Sequence, residues 1–358
     1  MKKITGFLNS SHKYPPTLWE IPFDNSRNYY RLPQSFIKKY SLVSGARLSC
    51  QIEGKTVKKI NSVCGVSPTD FKNRVNFNSL QAINPNQKFN LGDSEYTALR
   101  IMDLFTPIGK GTRGLIVSPP RAGKTTLLEQ LSAHFQSTNP KQSVVALLID
   151  ERPEEVTSFQ MNTQATVFHS SLDKDSHLHV LLSNFILNHI KVELECGNDI
   201  ILLIDSLTRM GRAYNRSEHN SNSRTMSGGL GSGALEIPRK LFGMARATSQ
   251  GGSCTILATI LKDTGSRMDE MIFQEFKGTG NCELILDRNL AEQRIFPAIN
   301  LRESGTRKDE LLLPATDLEK INILRRSLLK LDAASQIETL QNKMQKYPSN
   351  RQLLNALR

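Results

Sequence analysis

The residues with the plainest chemistry in this chain are SPPRAGKTT, positions 118–126. A Pro/Gly turn followed by Lys and a hydroxyl residue at a helix start surrounds phosphates with backbone N–H groups and the helix amino terminus. In that reading Pro120, Arg121, Ala122, Gly123 and Thr126 form the cradle. Lys124 contacts the β- and γ-phosphates, and the Thr125 hydroxyl ligates Mg²⁺. Ser118 stands where the GxxxxGK[ST] pattern has its first Gly, so the match carries one mismatch. The competing reading is a chance turn. Against it stand an apolar run before the motif and a helical pattern after it, which are the context the chemistry needs.

Two acids complete a nucleotide-hydrolysing set. Asp205 ends the apolar run ILLID, and an acid at a strand's carboxyl end beside such a loop holds Mg²⁺. Glu151, in LLIDERPEEV, follows a strand expected next to the phosphate-loop strand. There its carboxylate can face the γ-phosphate and orient the attacking water. The bland alternative is a helix-capping Glu, a role that Glu154 and Glu155 suit better because they follow Pro153 in the first helical turn. Arg152 either touches phosphate or pairs with one of these acids.

The elements that must position these groups are legible from periodicity. GLIVS (114–118) is an apolar strand, and Leu127, Leu128, Leu131 and Phe135 recur on one face of the helix after it. Strands follow at 144–150, 199–206, 254–260 and 282–286, with a long helix from about Leu178 whose Leu181, Leu182, Phe185, Ile186 and Ile190 point inward. Nearly continuous apolar strands separated by helices predict an α/β fold with a mostly parallel sheet covered on both faces. The last 45 or so residues read as helices that pack against the core or a neighbour through Leu328, Leu331, Ile337 and Leu340.

The amino-terminal part differs in character. Residues 1–83 read as short strands and turns, with Arg47 to Ile52 as one strand and Thr56 to Ile60 as its hairpin partner. A small OB-type β-barrel suits that length. The first 96 residues hold 14 Lys/Arg against 6 Asp/Glu, and 12 of the 23 aromatics. Basic groups among aromatics suit single-stranded nucleic acid; a small β domain needing aromatics for its core is the equal alternative. The whole chain has a net charge of +12 and a pI near 9.5, which favours a polyanionic partner.

Other classes are disfavoured. Cys50, Cys64, Cys196, Cys254 and Cys282 are odd in number and form no CxxC pair, so neither a disulfide framework nor a zinc site is expected. His177 and His179, with His169 nearby, read as surface histidines rather than a metal site. No stretch approaches the ~18 apolar residues of a membrane span, and the first residues lack a signal-peptide run. A cytoplasmic protein with no membrane partner is the expectation.

Taken in order, PIGKGTRGLIVSPPRAGKT, LLIDERPEEVTSFQ, ILLIDSLTRMGRAYN, KDTGSRMDEMIFQEFKGTGNCELIL and FPAINLRESGTRKDELL resemble the transcription termination factor Rho family from about residue 97 to about 332. That family also departs from Gly at the first loop position. The resemblance implies a RecA-like P-loop ATPase core over 97–312, preceded by an OB-like RNA-binding domain (1–83) and a linker (84–96). A helical C-terminal subdomain (313–358) would follow. It implies ATP and Mg²⁺ as cofactors, with Lys124, Thr125, Asp205 and Glu151 in the roles above. Arg307 matches an arginine finger that enters the neighbouring subunit's site, Arg294 a second arginine near that interface, and Phe296 the aromatic that stacks on adenine.

Two loops match those that grip RNA in a central channel. One is Arg224, Thr225, Met226, Ser227 and Gly228, running on to Gly229; the other is Thr264, Gly265, Ser266 and Arg267. Without the resemblance, SGGLGSGAL (227–235) reads only as a flexible loop. The implied partners are single-stranded RNA, further copies of the chain in a hexameric ring, and the RNA polymerase elongation complex. Two departures from the family are expected: residues 1–83 read as β structure without the family's small amino-terminal helical subdomain, and the base-stacking motif GFGFLR is not recognisable, with Trp19, Phe23, Tyr29 or Tyr30 as the substitutes. The alternatives are an idle RNA-binding regulator related to the family and a rotary or secretion-type RecA-fold ATPase. DTGSRMDE and the basic amino-terminal part speak against the latter.

Overall fold

The computed structural model describes residues 2–10, 15–21, 29–138, 142–219, 229–231 and 233–357. Five strands close a barrel in the order β1-β2-β3-β5-β4: β1 (Lys2–Asn9), β2 (Thr17–Trp19), β3 (Tyr29–Arg31), β4 (Arg47–Glu53) and β5 (Thr56–Val63), with α1 (Gln34–Tyr40) between β3 and β4. Alternation fixes its interior on β4, where Leu48, Cys50 and Ile52 are buried and Ser49 and Gln51 between them are more exposed. Ile4 and Leu8 of β1 join the same interior, and Phe7 between them packs into the neighbouring core. The expected Arg47–Ile52 and Thr56–Ile60 hairpin is thus one wall of a closed barrel.

A short α2 (Pro68–Lys72), β6 (Ala82–Ile83) and α3 (Thr97–Phe105) lead into the larger sheet. Its elements are β7 (Arg113–Ser118), α4 (Lys124–Thr138), β8 (Ser143–Glu151), α5 (Pro153–Asn162), β9 (Thr166–Ser171), α6 (Ser176–Glu195), β10 (Asp199–Asp205), α7 (Leu207–His219), α8 (Glu236–Phe242), β11 (Arg246–Thr248), β12 (Ser253–Leu261), α9 (Arg267–Phe276), β13 (Cys282–Ile285), α10 (Arg288–Glu292) and β14 (Gly305–Thr306). Helices α11 (Ala315–Leu328), α12 (Ala333–Lys346) and α13 (Asn350–Ala356) end the chain.

The sheet order is β14-β13-β7-β12-β10-β8-β9, parallel from β13 to β9, with β14 antiparallel at one edge and β11 and β6 paired off the main path. The period of two sorts each strand's apolar residues between two cores. Ile201 and Leu203 of β10 join Leu128, Leu131, Phe135 and the C-terminal helices, whereas Ile200, Leu202 and Ile204 join Leu182, Phe185, Ile186 and α7. Burial on both faces is why these strands read as continuous apolar runs rather than alternating ones.

Three expectations are corrected. Strand β8 is not beside β7; β12 and β10 stand between them, because strand order is set by crossovers that uniformly apolar runs do not reveal. Leu181 is 39% exposed on α6, its neighbours Leu182 and Phe185 taking the inward face. His179 is buried, not a surface residue: its Nδ1 lies 2.7 Å from Ser170 Oγ on β9, a strand that the sequence reading did not separate from its surroundings. Of the apolar residues singled out in the C-terminal helices, Leu328, Ile337 and Leu340 enter the core and Leu331, just after α11, is 41% exposed.

Candidate active site

The site sits at the carboxyl ends of β7, β10 and β8, where open parallel sheets bind ligands. Between β7 and α4 the chain takes a left-handed step at Arg121 (φ 64°) and another at Gly123 (φ 90°), which leaves Lys124 as the first helical residue. Ser118 at the departing strand end is fully buried, and its Oγ donates to the Pro119 carbonyl at 2.8 Å. Its hydroxyl is therefore satisfied locally.

Lys124 draws three strand ends together. Its ammonium donates to Asp205 Oδ1 and Oδ2 at 2.8 and 2.6 Å and to Glu151 Oε1 at 3.2 Å, and lies 3.4 Å from Thr125 Oγ1. Burial pulls the lysine pKa down, but Asp205 and then Glu151 more than reverse this and hold it above the ordinary value. Asp205 also accepts a 2.8 Å hydrogen bond from Thr259 Oγ1 on β12.

Glu151 arrives by a bulge. The β8–β9 register slips between Ile149 and Glu151, and Asp150, at φ 58°, is the extra residue. Such a bulge re-aims the side chain that follows it, here into the site rather than along the sheet face. Asp150 is anchored by Arg216 at 3.3 Å and faces His179 Nε2 at 3.7 Å. Glu151 is 2% exposed, and its Oε1 also meets Arg209 Nε at 3.0 Å. Burial first, and the Asp205 charge second, push its pKa up to about 8, with Lys124 and Arg209 opposing. A carboxylate poised there suits a general base.

Hard oxygen donors and charge make the site fit for Mg²⁺. The Thr125 hydroxyl and the Asp205 carboxylate are the donor types that Mg²⁺ takes alongside phosphate oxygens. Among the described residues Glu151 Oε2 is buried with no hydrogen-bond partner, an acceptor left for a ligand. Beside the loop a cavity of about 540 Å³ is bounded by Arg121, Ala122, Gly123, Thr126 and Phe296. Phe296 is 43% exposed there, and Gln341 Nε2 from α12 donates to its carbonyl at 2.8 Å. An exposed ring beside the phosphate cradle suits stacking on a purine.

Arg294 and Arg307 lie apart. Arg294 (φ 62°) shares a cavity of about 630 Å³ with Pro120, Arg121 and Thr264, on the phosphate-loop side of its own protomer. Arg307 follows β14, which pairs with the amino end of β13, level with Gly114 at the start of β7. The four residue steps from Gly114 to Ser118 separate it from its own phosphate loop by about 13 Å of strand.

The loop Thr264–Arg267 leaves the carboxyl end of β12, next to β7. Lys262 N donates to the Ser118 carbonyl at 3.1 Å, tying this loop to the phosphate loop. Thr264 Oγ1 donates to Asp269 at 2.6 Å, Asp269 pairs bidentately with Arg212 of α7, and Gly265 and Arg267 are exposed. Arg224, Thr225, Met226, Ser227 and Gly228 lie outside the described residues; beyond them, Asn215 of α7 accepts from Gly231 N at 2.6 Å and donates to the Gly229 carbonyl at 3.0 Å. Arg152 is exposed and in no ion pair among the described residues. No group of three or more His, Cys, Asp and Glu that could hold a metal occurs among the described residues, His169, His177 and His179 included.

On the barrel, the Trp19 and Tyr29 rings lie 5.2 Å apart with the Lys55 ammonium 5.7 Å from Tyr29, and Tyr30 donates to Glu20 at 3.0 Å. Phe23 is outside the described residues. Arg209, Arg212 and Asp150 lie within LLIDERPEEV and ILLIDSLTRMGRAYN but carry no role from sequence alone. The DSLTRMGR spacing places both arginines after the Asp205 strand, and that was the available signal.

The sheet and its phosphate site define a RecA-like P-loop ATPase. Residues 98–306, more than half the chain, match the ATP synthase alpha/beta family, nucleotide-binding domain. A type III secretion system ATPase from pathogenic bacteria superposes with a TM-score of 0.62 at 21% identity, over 78% of this chain and 86% of that one, a likeness of fold. Transcription termination factor Rho from Karelsulcia muelleri is 39% identical over 363 residues, which cover 99% of this chain and 93% of that protein. Rho from Akkermansia muciniphila is 45% identical over 295 residues, 82% of this chain and 62% of the relative. The chain therefore belongs to the ATP synthase alpha/beta nucleotide-binding family and, within it, to the Rho transcription termination factors. It is an ATP-hydrolysing enzyme of that family. Among the described residues no helix is long and apolar enough to cross a membrane.

Proposed function

We propose that this protein terminates transcription by hydrolysing ATP at the interfaces of a homo-oligomeric ring, hexameric as in the resemblance, and pulling single-stranded RNA through it against the RNA polymerase elongation complex. The observation that carries the reading is the junction of two loops. The Thr264–Arg267 loop and the phosphate loop leave adjacent strands and are tied by the Lys262–Ser118 hydrogen bond. A change at the triphosphate therefore displaces an exposed, basic loop suited to an RNA backbone.

In this reading the N–H groups around Gly123 and the start of α4 hold the phosphates, and Lys124 exchanges its contacts with Asp205 and Glu151 for the β- and γ-oxygens. Mg²⁺, held by Thr125 and Asp205, supplies charge neutralisation at the phosphates. Glu151 orients the attacking water and takes its proton. Arg307 from the adjacent protomer stabilises the charge that develops, as a trans-acting finger does. Phe296 stacks on adenine. Arg267, with the 224–228 loop, contacts RNA phosphates, and Trp19, Tyr29 and Lys55 offer a stacking surface on the barrel.

The test is ATP turnover by the full chain with and without pyrimidine-rich RNA at stated salt. Turnover is expected to rise strongly with RNA. Equal rates in both conditions sink the translocase reading and leave a nucleotide hydrolase without a track.

A further inference from the structure

The amino ends of the sheet, opposite the phosphate loop, carry three arginines at strand ends, with Arg239 of α8, paired to Glu275, beside them. Arg113 opens β7, Arg246 opens β11 and Arg307 follows β14. Arg246 is satisfied within its own chain: it donates to the Met244 and Gly243 carbonyls at 3.3 and 3.0 Å, and its guanidinium lies 4.6 Å from the Phe77 ring centroid. Arg113 and Arg307 are not. Among the described residues neither side chain makes an ion pair or donates a hydrogen bond, and Arg113 Nε is buried without a partner. Both line one cavity of about 470 Å³, together with Arg239 and Asn281.

The backbone that presents them is firmly tied. Asn281 accepts from Arg113 N at 2.8 Å through Oδ1, donates its own N–H to the Arg113 carbonyl at 3.0 Å, and accepts from Arg307 N at 2.7 Å. Two arginine-bearing segments are thus bolted to one residue and aimed at one space. Burial, then Arg246 and Arg307, pull the Arg113 pKa below the ordinary arginine value. A half-buried guanidinium with an orphaned donor beside like charges lowers stability. An apolar side chain of similar length would serve the fold better, so the cluster points to an anion from outside the protomer.

We propose that Arg113 is a second trans-acting guanidinium, which with Arg307 grips the phosphates of the nucleotide held by the adjacent protomer. This rests on the reading of Arg307 as the finger. Arg113 stays protonated throughout; it neutralises charge and makes no bond, and its planar fork suits two phosphate oxygens at once.

Mixing experiments with full-length protomers test this. Arg113→Gln keeps its own Lys124, Glu151 and Asp205, whereas Lys124→Ala keeps its own arginine edge. Each alone is expected to lose RNA-stimulated turnover, Arg113→Gln by about 10- to 1,000-fold in kcat with little change in the KM for ATP. Mixed rings regain turnover, because an Arg113→Gln phosphate site then faces an intact arginine edge. Arg307→Ala mixed with Lys124→Ala runs in parallel. If that mixture recovers and the Arg113→Gln mixture does not, Arg113 acts inside its own protomer and the proposal is overturned. If neither recovers, the finger reading fails and takes the proposal with it.

Thermal melting gives the second readout. Arg113→Gln is expected to melt at or above the parent temperature, since a repulsion is removed. A fall of several degrees together with loss of ring assembly assigns Arg113 a structural role and overturns the proposal. So does an Arg113→Gln protein with unchanged kcat that has lost only the binding of free inorganic phosphate.

Discussion

The two ends of the central sheet handle charge in opposite ways. At the carboxyl ends the three cations drawn in around the two site acids each have an anion, Lys124 meeting Asp205 and Glu151, Arg209 meeting Glu151 and Arg212 meeting Asp269, while Arg121, Arg152 and Arg294 are exposed. At the amino ends Arg113 and Arg307 face a shared cavity with no ion-pair partner of their own among the described residues, although Arg239, which also lines it, pairs with Glu275. The first arrangement can hold a nucleotide within one protomer. The second places like charges together, and in the proposed ring it gains its counter-charge from the nucleotide of the neighbouring copy, a head-to-tail contact that closes on itself.

The sharpest way to break this contrast is Arg307→Ala. Loss of a trans finger is expected to lower kcat by about 10³–10⁵-fold. Nucleotide affinity of the isolated protomer should stay as it was, because Arg307 lies at the far end from its own phosphate loop. Steady-state turnover and equilibrium nucleotide titration measure the two quantities. A drop below tenfold would remove Arg307 from the chemistry. Glu151→Gln probes the balanced end: shape is kept, the base is lost, and kcat is expected to fall by about 10²–10⁴-fold with nucleotide still bound. If the Gln variant turned over at the parent rate, water activation would have to lie elsewhere.

Much of this was legible in the sequence because it rests on local order. The SPPRAGKTT turn, the acid closing ILLID and the helical stripe Leu127, Leu128, Leu131 and Phe135 are each set by neighbours in the chain. What was not legible depends on which strands meet. The β7-β12-β10-β8 order cannot be read from runs that are all apolar, so Glu151 was expected one strand too close. It still reaches Lys124 because Asp150 bulges. That bulge rests on partners from α6 and α7, among them His179, whose polar type hid its burial. The arginine edge escaped for the same reason: Arg113, Arg246 and Arg307 are far apart in the chain and meet only through β7, β11 and β14.

A third change separates binding from chemistry at the balanced end. Phe296→Ala should raise the KM for ATP by about 5- to 100-fold, since base–aromatic stacking is worth about 1–3 kcal/mol. The kcat should hold, because stacking acts equally on ground and transition states. An unchanged KM would show that the exposed ring covers something other than the base.

The finest test reads the electrostatics of Glu151 directly. Its pKa is pushed up to about 8 by burial and by Asp205, against Lys124 and Arg209. A base works only when ionised, so kcat/KM for ATP, which reports the free enzyme, should climb about tenfold per pH unit below 8 and level off above it. Arg209→Met removes one of the two cations that oppose the rise. With that attraction gone the neutral carboxyl is favoured further, and the limb should move to higher pH by about one unit. Glu151→Gln should abolish the limb altogether. A pH–rate profile of the three proteins at ATP well below its KM and saturating RNA decides it. If Arg209→Met shifted the limb to lower pH, or if the limb persisted in Glu151→Gln, the titrating group would not be Glu151. The balanced end of the sheet would then lose its base.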